Sequence, residues 1–299
     1  MGRLESHGYL PHSQVMETGR SFPANKALQA ASLRPSRFST KPRAIRIRPL
    51  LSLLALFAMA VTALAGPPYV TDDPDPLEYR HWEIDIASML LHDADGWNGT
   101  APHVEFNYGV TSNLQLHVLT PTAFASVPHE SAQIGYGYTE VGAKYRFLEE
   151  GKILPEAAIY PVVQIPPGSS SREIVSPHTE FFIPIWVQKR LGKWILGGGG
   201  GYWVNPGSEF RNWWFMGCVV QRKVSQHLTL GAEIFHETVS EVGGTQNTTL
   251  NAGAIVDLSD TYHLLFSAGH SIQGSGTFIA YVGLQITFGP KKPDKDKSK

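Results

Sequence analysis

The side chains most able to do covalent chemistry are His270 and Ser271, with Asn251 upstream. A serine activated by a histidine, itself oriented by a polar third group, is the constellation of an esterase or lipase. The three must meet in space for that chemistry. Here the strand pattern puts His270 at a loop edge, and no asparagine stands close by to orient it, so loop polarity is the plainer reading. Asp72, Asp73, Asp75 and Glu78 have the composition of a calcium cluster, but Pro74 and Pro76 break the spacing of a calcium loop. His81, His92, His103 and His117 show no helical metal-ligand spacing, so no metal site is expected. The run Gly197–Gly201 lacks the lysine and following helix of a phosphate loop. It reads either as close packing under neighbouring aromatics or as a widened lumen. Cys218 is the single cysteine, which excludes an intrachain disulfide and any paired-cysteine metal or redox centre. No catalytic residue and no cofactor is expected.

What remains is a set of charges at alternate positions within apolar stretches. Trp82, Ile84 and Ile86 alternate with Glu83 and Asp85; Val141, Ala143, Tyr145 and Phe147 alternate with Glu140, Gly142, Lys144 and Arg146. Phe181, Ile183, Ile185 and Val187 alternate with Glu180, Phe182, Trp186 and Gln188. This period of two is the signature of strands with unlike faces, and no long segment has helical periodicity. Twelve strands are predicted: 78–91, 101–110, 113–122, 135–148, 155–165, 178–189, 193–204, 212–223, 227–239, 247–258, 261–270 and 276–288. At 10 to 14 residues each, they have the length of tilted transmembrane strands. Their connections alternate: Thr111-Ser112, Glu149–Leu154, Arg190–Gly192, Val224–Gln226 and Ser259-Asp260 are short. His92–Thr100, Ala123–Ile134, Pro166–Pro177, Asn205–Arg211, Ser240–Gln246 and Ser271–Ser275 are longer. Short turns at one end and longer loops at the other are the asymmetry of outer-membrane barrels. The predicted fold is therefore an all-β, twelve-stranded antiparallel transmembrane barrel, a closed sheet being one of the two structures lipid tolerates. Trp82, Tyr108, Tyr145, Phe147, Trp194, Tyr262 and Phe288 fall at the short-turn ends, and Tyr202, Trp203, Trp213 and Trp214 flank a long loop, as two interfacial girdles would.

The ends are different in kind. Residues 1–48 hold nine Lys/Arg against two acids, and the apolar run Leu50–Ala65 ends in Ala63-Leu64-Ala65. Residues 41–65 thus read as a signal peptide cleaved after Ala65, and 1–40 as a disordered arm or an over-extended start. Residues 66–77 form a lead segment, periplasmic or a plug; 78–288 form the barrel; 289–299 form a basic disordered tail. The chain from 66 onward has 16 Lys/Arg against 24 Asp/Glu, which argues against nucleic acid as a partner.

With the apolar face toward lipid, the opposite face lines the lumen. It would carry Glu83, Asp85, Glu105, His117, Glu140, Lys144, Arg146, Glu156, Glu180, Arg222, Glu233, Glu237 and Asp257. Nine acids against Lys144, Arg146 and Arg222 predict cation preference in any aqueous pore. Pro161 and Pro184 lie inside predicted strands, nearly opposite one another, where proline cannot donate to the ladder. They mark either a bulge or a weak seam through which an apolar ligand leaves sideways into the membrane.

The stretch Gly66-Pro67-Pro68-Tyr69-Val70-Thr71-Asp72-Asp73-Pro74, followed by Glu78-Tyr79 and His81-Trp82-Glu83, resembles the opening of transporter-like outer-membrane proteins of the MetA-pathway of phenol degradation family. The resemblance covers about residues 66–88 and implies a barrel passing small, often aromatic or hydrophobic, compounds in the bacterial outer membrane. Its partners would be small solutes, outer-membrane lipid and the barrel assembly machinery. An outer-membrane enzyme of lipase type and a secreted ligand-binding barrel stay open as alternatives.

Overall fold

The computed structural model describes residues 67–167 and 178–290. The arm (1–40), the signal peptide (41–65) and the tail from Lys291 lie outside the described residues. The described chain forms fourteen strand segments and no helix: β1 (Trp82–Asp93), β2 (Gly96–Gly109), β3 (Leu114–Ser126), β4 (Gln133–Tyr136), β5 (Thr139–Leu148), β6 (Glu156–Ile159), β7 (Val162–Ile165), β8 (Glu180–Leu191), β9 (Trp194–Val204), β10 (Trp213–Lys223), β11 (Leu228–Glu237), β12 (Asn247–Asp257), β13 (Tyr262–Gln273) and β14 (Phe278–Phe288). Segments β4 and β5 both pair with β3, and β6 and β7 both pair with β5 and β8, so each pair is one interrupted strand. Every neighbour pair is antiparallel, and β1 pairs with β14 from Trp82↔Phe288 to His92↔Phe278. The result is a closed barrel of twelve staves with no free edge.

The alternation in sequence becomes inside and outside. Outward positions such as Ile183 (52% exposed), Leu230 (45%) and Val118 (37%) form an apolar band, while Asp85 and Gln221 on the inner face are fully buried. Ile84 and Leu284 share the outward face. At the short-turn end Trp82 pairs in register with both Tyr108 and Phe288, its ring 4.5 Å from that of Tyr108. Tyr145, Phe147, Trp194 and Tyr262 are exposed at the same end. Aromatic rings at that level suit a boundary that is apolar on one side and wet on the other.

Two expectations need correction. The first connection is not a loop from His92 to Thr100: β1 and β2 run on to a two-residue turn closed at Asp93↔Gly96. Gly96 adopts a φ of 124°, a conformation that favours glycine, and Asp93 accepts a bond from the Asp95 amide. Polar and glycine residues that look like a loop are thus a hairpin turn and its flanks. The bulge offered for Pro161 and Pro184 is also absent. Register runs unbroken through both, from Tyr145↔Ile159 to Val141↔Val163 and from Ile159↔Ile185 to Val162↔Phe182. The irregularity in this wall sits instead between Arg146 and Leu148.

Candidate functional site

The barrel interior has two levels. Toward the short turns it is polar and occupied by the lead segment. Residues 67–77 have no periodic pattern and four prolines, so they cannot join the sheet, and they lie inside it. Thr71 is fully buried and Asp73 is 4% exposed. The segment is tied to the wall on opposite sides. Ser267 donates to the Pro68 carbonyl at 2.6 Å, and the Glu233 carboxylate accepts from the amides of Val70 (3.1 Å) and Thr71. Lys144 pairs with Asp72 (3.1 Å) and Asp73 (3.4 Å). Asp75 is gripped by Arg146 (2.9 Å) and Arg190 (2.6 Å), which share Glu156 between them, and Leu77 donates to the Gln115 side chain. The wall makes room by deletion: a Cβ on Gly217 would sit 1.9 Å from Thr71 Oγ1, so only glycine admits the segment there. The void left beside it is about 30 Å³, the size of a water or so.

Burial drives the Asp73 carboxyl well above the usual carboxylate range; Lys144 opposes this, and Asp72 and Asp75 add to it. In the turn after β5, Glu150 stays below its ordinary value. Desolvation works the other way, but backbone and side-chain hydrogen bonds from Arg190 prevail.

Twelve of the thirteen expected lumen residues turn inward. Glu105, His117 and Glu140 join one network: His117 Nδ1 lies 3.1 Å from Glu105 and its Nε2 3.1 Å from Glu140. Asn107 donates to Glu105 (2.7 Å) and Glu83 (3.3 Å), with Asp85 next on the same face. Glu180 lies near Tyr138, Asp257 bonds His263 at 2.8 Å, and Glu237 faces Asn247 in register. Arg222 is the exception. Gln221 takes the inward place, and the Arg222 guanidinium lies outside, 4.9 Å from the centre of the Trp194 ring. A cation over an indole at the aromatic level is favourable and needs no burial. Arg190, at the end of β8, is the inward cation that takes its place in the count.

Toward the long loops the interior is apolar and aromatic. Tyr160, Val162, Trp186, Phe215, Phe235 and Ile279 form a buried cluster, with Phe182, Trp203, Trp213 and Val70 packed against it. The rings are ordered: Phe182 stacks on Trp203 at 4.6 Å, Trp203 on Trp213 at 5.4 Å, and Phe215 on Phe235 at 5.7 Å. Trp203 and Trp213 therefore belong to the interior and not to a girdle; only Tyr202 and Trp214, 4.8 Å apart, face outward. The glycine run floors this cluster. A Cβ on Gly199 would meet Trp186 at 2.8 Å and one on Gly201 would meet Phe182 at 2.7 Å, which favours close packing under aromatics over a widened lumen. Tyr160 borders both levels, its ring 5.2 Å from Lys144 Nζ.

His270 and Asn251 do not meet. His270 is exposed on the outer face, and Asn251 is buried on the inner face, donating to Glu233 at 3.1 Å. Among the described residues no group of His, Cys, Asp or Glu is arranged to hold a metal ion.

No family model matches the sequence, and no curated protein is detectably similar to it. Solved structures are. An outer-membrane channel from Pseudomonas putida F1 superposes with a TM-score of 0.59 at 14% identity, covering 72% of this chain and 98% of that one. The KdgM porin gives 0.48 at 14% identity over 69% of this chain and 99% of its own. The monoaromatic hydrocarbon channel CymD gives 0.42 at 7% identity over 73% and 90%. At these identities the first likeness establishes the fold: this chain is a twelve-stranded barrel of the outer-membrane type.

Proposed function

We propose that the protein is an outer-membrane channel for small apolar molecules of aromatic size, with its lead segment as a plug. The observation that carries this reading is the interior aromatic cluster on β8 to β11. Stacked rings inside a barrel that could have been filled with aliphatic side chains give flat apolar solutes a surface of matching geometry. The outer surface supports the location. An apolar band flanked by aromatic rings suits lipid and would be a liability in water. This disfavours a secreted soluble barrel, and the separation of His270 from Asn251 disfavours a lipase built on that pair.

In this reading the wall cations Lys144, Arg146 and Arg190 hold the plug acids Asp72, Asp73 and Asp75, and the pore is closed at rest. The test is binding of naphthalene to the purified barrel, followed by quenching of tryptophan emission, with glucose as the control solute. Saturable quenching by naphthalene alone is expected. Trp203→Ala removes two stacked neighbours, each worth about 0.5–1.5 kcal/mol, and should weaken binding roughly five- to hundredfold. No quenching, or affinity unchanged in both Trp203→Ala and Phe215→Ala, overturns the reading.

A further inference from the structure

The wall beside the aromatic cluster is short of hydrogen bonds on both sides of one stave. In an antiparallel ladder, residues that face each other exchange two bonds or none. Tyr160 faces Pro184, and its amide donates to the Pro184 carbonyl at 3.2 Å. Pro184 has no N–H to return. On the other side Ala143 faces Pro161 and donates to its carbonyl at 3.2 Å, and Pro161 cannot return that bond either. The two missing rungs flank the same strand, β6–β7, one on each side and one residue apart. Because register is unbroken there, no bulge compensates for them. The other strand prolines, Pro102 and Pro121, sit in or beside the β2–β3 bulge, nearer the long loops.

This thinned stave is also a wall of the chamber. Tyr160 and Val162 face inward from it and Trp186 from the neighbouring β8, all in the buried apolar cluster. Ile183 and Ile185, alternating with these on β8, are exposed on the outside. An apolar molecule held against Tyr160 and Trp186 is separated from the lipid-facing side by one strand with weakened ties and apolar residues on both faces. An unreturned bond is costly within a bilayer, where no water replaces it, so a wall that keeps two at one height has a low cost of opening there.

We propose that the interface between β6–β7 and β8 is a lateral exit through which apolar solutes pass from the chamber into the membrane. This rests on the reading of the chamber as the binding site. The direct way down is closed by the plug's ion pairs, which offer an apolar solute nothing.

Two disulfides separate the routes, each built in a Cys218→Ser background. Val163 and Phe181 both face outward and are partners in register without exchanging backbone bonds, the geometry in which Cβ atoms approach. Val163→Cys with Phe181→Cys stitches the seam. Thr71→Cys with Gly217→Cys locks the plug, the two Cβ positions being 3.1 Å apart. Uptake of radiolabelled naphthalene by cells with intact outer membranes is measured with each pair oxidised and then reduced. The expected result is uptake lost in the oxidised stitch, restored by reduction, and unaffected by the plug lock. Pro161→Val with Pro184→Val restores both donors without a cross-link. It should slow uptake about thirtyfold, the factor for two backbone hydrogen bonds. Naphthalene that quenches tryptophan in the purified stitched barrel but enters cells equally fast overturns the lateral route alone. Uptake lost to the plug lock overturns it as well. Failure of naphthalene to bind any form overturns the chamber reading and the route together.

Discussion

Glu233 is where the plug is most exposed to a single change. Its carboxylate, 1% exposed, accepts from Val70 at 3.1 Å, from Thr71, and from Asn251 Nδ2 at 3.1 Å. Glu233→Gln keeps the shape and removes the charge. One oxygen can still accept, but the new amide group must point at a buried donor. A hydrogen bond to a charged group contributes about 1.5–3 kcal/mol, and a buried N–H left without an acceptor costs about 1–3 kcal/mol. Taking about 3 kcal/mol as the loss, the ratio of seated to unseated plug falls about a hundredfold. In a planar bilayer the time spent in the fully open conductance level should rise by the same factor, provided the level matches that of a barrel lacking residues 67–77. Asn251→Ala removes only the partner within the wall, leaves both plug bonds, and should change the traces little. If Glu233→Gln gives wild-type traces while the deletion opens the pore, Glu233 does not hold the plug and the reasoning is refuted.

Three other outcomes follow from the same geometry. Leu230→Arg places a charge on the lipid face and should cost about 2–4 kcal/mol near mid-membrane, read as a lowered folded fraction in vesicle refolding; assembly equal to wild type would reverse the assigned faces. Gly217→Val puts a side chain where Thr71 sits, so it should raise open-level conductance with little loss of barrel stability, whereas a closed pore would place the segment elsewhere. Seating should also weaken as pH rises. Asp73 holds its proton more tightly when buried, so the seated state gains protons relative to the unseated one; the effect begins above about pH 4 and runs to the raised value, and Asp73→Asn should abolish that part of the pH dependence of open probability.

The wall was legible because a strand between lipid and a polar interior must alternate. Where one face is apolar and the other charged, as at Trp82–Ile86 or Glu140–Phe147, a period of two assigns every side chain. The method fails where both faces are apolar. Trp213–Lys223 reads Trp-Trp-Phe-Met-Gly-Cys-Val-Val before its first polar residue, so nothing in one dimension says whether Gln221 or Arg222 turns inward, and a charge is then assigned to the lumen by default. The same ambiguity put Trp203 and Trp213 in a girdle, and with them went the aromatic chamber. The plug contacts join residues 71 to 199 positions apart, beyond the reach of any local pattern. One signal was present nonetheless: three acids in the lead segment, Asp72, Asp73 and Asp75, match three cations on the inner wall, Lys144, Arg146 and Arg190.

The order of the two levels along the barrel bears on how a solute could travel. An apolar molecule entering from the long loops meets Trp213, Trp203 and Phe182 first and then Phe215 and Trp186, each contact replacing water with a ring. Past Tyr160 the surroundings change within one residue of the wall to Lys144, Asp72 and Asp73. There the molecule can form no hydrogen bond, and separating the buried pairs would leave charges uncompensated. Binding energy gained in the chamber therefore does not help to unseat the plug through its ion pairs; only contact with Val70, the plug residue that packs against the cluster, links the two. A charged solute has the opposite problem, finding partners below but none among the rings. A barrel arranged in this order favours solutes that stop at the chamber, and the thinned stave beside Tyr160 and Trp186 is the part of the wall such a solute already touches.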